Sequence, residues 1–276
     1  MIELRAFRRL TMGEIQVDRK KFLATVGAGA LAAMTPEDKA EELEHYMIDV
    51  LDGHDHDHGH GLHEVEEDQE RPSPPRGTGN LFQPSDRVFE PMPDKPTLVD
   101  FFNLRFAPAR HVLQSANHAL QTGQPEETVM ACLLHDVVQN LIKVDHGWWG
   151  AQLVEPYVDE RVAWAIRYHA ALRFYPDESV GYEYPDMYNR IFGEDYVPEP
   201  YIERDYQHAR AHKWYMDARL VTLNDTYAFQ DGMDVSIEPF IDIIGRNFKV
   251  PKEGLGYGGT PSSHMWRTIA NPNKPL

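Results

Sequence analysis

The sequence predicts an all-α protein, a helical bundle built around one large core. Apolar residues recur at spacings of three and four in successive segments, and none of these segments shows the alternation of a half-buried strand. Prolines, hydroxyls and acids punctuate the segments where helices begin. There is neither an internal repeat nor a Gly-rich phosphate loop. Four stretches divide the chain: 1–35 as an N-terminal segment, 36–96 as a helix plus linker, 97–250 as the bundle, and 251–276 as a tail.

In the first stretch, Asp18-Arg19-Lys20-Lys21-Phe22-Leu23 precedes a Gly/Ala-rich run to Ala33 and resembles a twin-arginine export signal, with Lys20 in place of the second arginine. A periplasmic protein with a leader and a cytoplasmic protein with an Ala-rich amphipathic segment both stay open. Thr35 followed by Pro36, Glu37 and Asp38 caps a helix running to about Val50. From His54 to His63 histidine alternates with Asp and Gly, and acids and a Pro-rich run follow to Gly77. Such a composition buries little apolar surface and reads as a mobile linker, its histidines an adventitious metal binder.

The bundle begins between Phe89 and Thr97. A helix over 108–122 turns Val112, Leu113, Ala116, Ala119 and Leu120 to one face. Pro125 opens a helix that extends to Ile142 and is apolar around most of its circumference, so it belongs at the centre. His146-Gly147-Trp148-Trp149-Gly150-Ala151 has glycines that permit close helix approach, with the tryptophans as packing residues. Val158-Asp159-Glu160 starts a helix on which Val162, Ile166 and His169 share a face. The region 181–206 reads as a lid-like loop. A helix from Asp205 to Phe229 turns Ala209, Met216, Leu220 and Leu223 inward, and one over 236–248 buries Phe240, Ile243, Ile244 and Phe248. The tail, rich in Gly, Pro and Asn, wraps irregularly over the bundle.

Net charge is −17, which argues against a nucleic-acid or anionic-membrane surface, since both need clustered Lys and Arg. No segment is apolar for long enough to span a bilayer. Cys132, the one cysteine, sits in an apolar run and reads as a core residue, which leaves no disulfide and no zinc-thiolate site.

His111, His135, Asp136, His146, His169 and Asp225 offer four imidazoles and two carboxylates, a ligand inventory for two first-row cations. His135 and Asp136 fall within the most apolar helix. There a carboxylate and an imidazole are costly unless paired or metal-bound. Asp217 is the alternative to Asp225 if the register differs.

These residues resemble the HD-domain superfamily, and within it the mixed-valent di-iron oxygenases, a branch that includes myo-inositol oxygenase and 2-amino-1-hydroxyethylphosphonate dioxygenase. The resemblance covers about 97–230 and rests on Arg110-His111-Val112-Leu113-Gln114-Ser115-Ala116, Leu133-Leu134-His135-Asp136, His146 with Gly150-Ala151, His169 through Tyr175, and Leu223-Asn224-Asp225-Thr226-Tyr227. It implies two Fe ions, Fe(II)/Fe(III), bridged by Asp136. His111, His135 and Asp225 would complete one ion, His146 and His169 the other. Mn or Zn would suit the same ligand types. Partners would be O2 and a small hydroxylated, phosphonate- or polyol-like substrate.

Arg173 stands one helical turn after His169, where phosphonate-cleaving members carry a basic residue, and is the candidate for gripping an anionic group. Lys143, Tyr175 and Gln139 are further substrate-binding candidates. The metal centre itself carries catalysis, with no separate general base. Phosphonate-cleaving members also place a Tyr and a Glu ahead of the first histidine, covering the metal; the matching positions here are Phe101 and Leu104. Two other functions fit the ligands. One is a binuclear phosphohydrolase or phosphodiesterase with a metal-activated water; Gln139, four residues after His135, stands where many hydrolytic relatives carry Lys or an acid. The other is a non-catalytic metal-handling protein, with residues 54–63 essential. Oligomeric state is open.

Overall fold

The computed structural model describes residues 15–53, 90, 92–93, 97–106, 108–142 and 144–249. The His-rich tract, Lys143 and the tail after 250 lie outside the described residues. Among these residues the regular structure is helical, with a lone antiparallel bridge between Asp177 and Tyr182. No helix of the described residues is long and apolar enough to cross a membrane.

Short helices α1 (Arg19–Val26) and α2 (Ala28–Ala33) lead into α3 (Pro36–Leu51). The predicted start of α3 is present: Thr35 Oγ1 accepts from the Asp38 amide and Asp38 accepts from the Thr35 amide, so two otherwise orphaned donors are satisfied. Thr97 and Asp100 repeat this capping box on α4 (Leu98–Leu104). The signal-like segment is folded against the protein. Phe22 is fully buried beside Tyr46 and Phe192, Arg19 donates to the Ile191 carbonyl, and the Ile15 amide donates to the Phe229 carbonyl.

The main core is formed by α5 (Ala109–Gln121), α6 (Glu126–Leu134), α7 (His146–Val154), α8 (Glu160–Leu172) and α11 (Tyr215–Asp225), with α8 packed on α6, α7 and α11. Every residue from Thr128 to Leu134 is buried, as the central position of α6 requires. That helix is shorter than predicted. It ends at Leu134, and the chain continues to Leu141 in turns held by i-to-i+3 bonds such as Val137 to Leu134 and Gln139 to Asp136. His135 and Asp136 therefore lie just past a helix C-terminus instead of mid-helix. Leu141, read as core, is 53% exposed.

The region 181–206 is not a continuous loop. It contains α9 (Asp186–Phe192) and the start of α10 (Pro200–Arg210), whose Ile191 and Ile202 join Phe22, Leu43, Met47, Ala171, Phe174 and Phe229 in a second apolar cluster under α3. The long helix expected over 205–229 breaks at 211–214 into α10 and α11, and the break rotates the face of α11: Leu223 is buried but Met216 is exposed. Leu120, expected inside on α5, is also at the surface. Glu238–Phe240 forms a 3-10 turn into α12 (Ile241–Asn247), with Phe240, Ile243, Ile244 and Phe248 buried as read.

Candidate metal centre

Five elements deliver the predicted side chains to one buried locus. His111 comes from the first turns of α5, His135 and Asp136 from the end of α6, His146 from the first residue of α7, His169 from α8 and Asp225 from the end of α11. The four histidines and Asp136 are at most 2% exposed; the Asp225 side chain is 16% exposed.

Two local features aim the ligands. Asp145 precedes α7 in the left-handed region, at φ 58°, which is uncommon for a side chain other than glycine and turns His146 inward. Gly147 then lets α7 approach α8 closely, because a Cβ there would meet the Ile166 carbonyl oxygen at 2.8 Å and the His169 ring at 3.1 Å.

The carboxylate of Asp136 divides the cluster. Its Oδ2 lies 3.3 Å from His111 Nε2 and 3.4 Å from His135 Nε2, and Asp225 Oδ1 is 2.9 Å and 3.7 Å from the same two nitrogens. Its Oδ1 faces the other pair, 3.3 Å from His146 Nε2 and 4.0 Å from His169 Nε2. Each imidazole uses its other nitrogen to donate: His111 Nδ1 to the Ala228 carbonyl at 3.3 Å, His135 to Cys132 at 2.8 Å, His169 to Ile166 at 2.6 Å, and His146 to Glu41 Oε2 at 2.8 Å. A neutral ring that donates from Nδ1 has a lone pair at Nε2.

With all four rings neutral, four lone pairs and two carboxylates point into one dry space. His111 Nε2, His135 Nε2, both Asp136 oxygens and Asp225 Oδ1 are buried without a hydrogen-bond partner. Leaving so many groups unsatisfied costs about 1–3 kcal/mol each, whereas cations between them would satisfy all. The donor set fits metal: His111, His135 and Asp136 form one group able to hold an ion, and Asp136, His146 and His169 a second. Without ions the same contacts shift the protonation of the cluster. Burial opposes charge on His146, yet the Glu41 and Asp136 carboxylates raise its pKa to about 10. Burial and the neighbouring His135 and His146 hold His169 down at about 3.

Not every predicted residue joins. Asp217 is ion-paired with Arg161 at 2.8 Å, which leaves Asp225 as the carboxylate of the cluster. Trp148 and Trp149 are exposed surface residues, not packing residues. Tyr175 stacks on Tyr206, with ring centroids 3.8 Å apart. Gln139 is buried, and neither polar atom of its amide has a hydrogen-bond partner. Arg173 is buried and held by two carboxylates of the chain itself, Glu41 and Glu44 on α3, the latter at 2.6 Å.

Glu41 and Glu44 were missed because α3 precedes the linker and lies outside the resemblance. Their signal was present: Glu37, Glu41 and Glu44 fall at i, i+4 and i+7 on the side of α3 that also carries Ala40, and all three are buried. Glu44 further groups with His111 and Asp225 as a third set able to hold an ion. Glu44 stands ahead of His111 in sequence, and Phe101 sits in the apolar core.

Fold and site together define a helical protein with a buried, two-lobed histidine–carboxylate cluster that can bind metal. The chain is similar to [1-hydroxy-2-(trimethylamino)ethyl]phosphonate dioxygenase (glycine-betaine-forming) of Leisingera caerulea, 31% identical over 94 residues, which are 30% of this chain. The match spans 46% of that relative's length. No protein-family model matches the chain.

Proposed function

We propose that the protein is a non-haem di-iron oxygenase of the HD-domain type, acting with O2 on a small hydroxylated substrate that carries a phosphonate or comparable anionic group. One observation carries the reading: the two oxygens of Asp136 each face a separate pair of imidazole nitrogens, the arrangement of a carboxylate that bridges two ions. The similarity to a phosphonate dioxygenase supports oxygen chemistry over hydrolysis.

His111, His135 and Asp225 would hold one ion and His146 and His169 the other, with Asp136 between. When bound, such a pair supplies the electrons and open coordination positions that O2 chemistry needs. The protein's part is to position and to exclude water. The ring nitrogens are locked by their Nδ1–H bonds, and the apolar residues of α6 keep the surroundings dry. Glu44 lies between the Arg173 guanidinium and the His111/Asp225 donors, so an anionic substrate group reaches Arg173 by replacing that carboxylate. Burial pushes Glu44 up to about 7. Gln139, with both polar amide atoms unpartnered, is a further substrate contact in this reading.

The test is to load the chain with iron and offer it 1-hydroxyphosphonates while following O2 uptake and product together. Stoichiometric O2 consumption is expected, with a coupled mixed-valent EPR signal from the resting centre. Turnover that persists without O2 and with Mn in place of iron would assign a phosphohydrolase instead.

A further inference from the structure

Three of the four histidines in the cluster donate from Nδ1 to main-chain carbonyls, at Ala228, Cys132 and Ile166; His146 donates to a carboxylate, Glu41 Oε2, at 2.8 Å. That carboxylate is fully buried and comes from α3, distant in sequence from the other ligands. Its second oxygen, Oε1, is taken by Arg173, whose other arm binds Glu44. Glu41 is thus fixed at both oxygens, and its orientation toward the His146 ring is set by the Arg173 guanidinium at the end of α8.

A carboxylate acceptor does two things that a carbonyl does less strongly. It fixes the ring as the Nδ1–H tautomer, and by pulling on that proton it makes Nε2 a better electron donor. We infer that Glu41 is a positioning residue for His146, and that it strengthens cation binding in the Asp136/His146/His169 lobe. The inference rests on the two-cation reading above and adds an asymmetry to it: one lobe is braced by α3 through a charged partner, the other by main-chain carbonyls alone at its histidines.

The experiment uses the full chain, stripped of metal and titrated with Zn(II) against a chromophoric chelator. Wild type is measured first, and uptake of fewer than two ions would overturn the two-cation reading itself, before any variant is made. Glu41→Gln is expected to weaken one of the two ions about 10–100-fold and leave the other unchanged. In a His169→Ala background, which retains the His111/His135/Asp225 lobe, the same substitution should have no effect on the remaining ion. Glu44→Gln takes the other carboxylate from Arg173 without touching His146, so it should spare the ion of the His146/His169 lobe. Unchanged affinities in Glu41→Gln, or an equal loss at the His146/His169 ion in Glu44→Gln, would overturn the proposal, the latter by reducing Glu41 to a partner of Arg173.

A readout on the wild-type chain stands even if Glu41→Gln does not fold. In the zinc-loaded protein with ¹⁵N-labelled histidine, the His146 ring, assigned by its absence in His146→Ala, should show a proton on Nδ1 that exchanges slowly with solvent, and zinc on Nε2. A His146 ring metallated at Nδ1 overturns the assignment.

Discussion

His146 Nε2 and His169 Nε2 stand 3.2 Å apart at the heart of the protein, on rings whose Nδ1 atoms are already engaged by Glu41 and by the Ile166 carbonyl. Two nitrogen lone pairs at that distance repel unless a proton or a cation lies between them, and Asp136 Oδ1, 3.3 Å from the first, supplies the anionic third side.

Asp136 is expected to be the residue on which both lobes depend. Asp136→Ala should carry less than one ion per chain by elemental analysis, because each lobe loses an oxygen ligand, whereas His169→Ala should keep about half the wild-type content. Full metal content in Asp136→Ala would mean that the ions, if bound, do not share this carboxylate.

Gly147→Ala tests the approach of α7 to α8. The added methyl would fall 2.8 Å from the Ile166 carbonyl oxygen and 3.1–3.2 Å from the His169 ring, and a backbone oxygen cannot swing aside. The expected result is loss of the ion held by His146 and His169, with the other lobe filled. Gly150→Ala, whose methyl would meet Val137 at 3.4 Å, serves as the comparison and should bind metal as wild type does.

The helical class, the core face of α8 with His169 on it, and the buried pair His135 and Asp136 are legible in the sequence because each leaves a local mark: periodicity, capping residues, or ionisable groups in an apolar run; His111, His146 and Asp225 come from the family resemblance. Glu41 and Glu44 left a weaker one. Acids on a helix are usually solvated, and only the docking of α3 over Arg173 turns these inward. Arg173, the candidate for gripping an anionic substrate group, is instead paired with carboxylates more than 120 residues away in the chain. The early end of α6 was hidden for another reason: the residues after His135 remain apolar, and it is hydrogen bonding past the helix end that makes them turns.

Arg173→Ala should act first on stability. The guanidinium is buried between Glu41 and Glu44, and its removal strands Glu44 and one oxygen of Glu41 in a dry site, a cost of about 3–5 kcal/mol for breaking a buried pair. Thermal unfolding of the metal-free chain should show a Tm lower by roughly 10 °C. An unchanged Tm, with a raised KM, would return Arg173 to the role of a free anion-binding residue.

Metal uptake should release protons in a way the cluster's own electrostatics determine. In the metal-free chain burial disfavours charge on His146, but Glu41 and Asp136 lift its pKa to about 10, so at neutral pH the ring holds a second proton. Raised above the usual 6.5, this group contributes stability that is fully present below pH 6.5 and disappears as pH rises through about 10. His169, held near 3, is already neutral and contributes no proton. An ion that takes the His146 Nε2 lone pair must expel its proton, so calorimetric zinc titrations at pH 7 should give apparent enthalpies that vary with the ionisation enthalpy of the buffer, by at least one proton per chain. In His146→Ala this released proton should be missing. Identical enthalpies in all buffers for the wild-type chain would show that His146 is neutral before metal arrives.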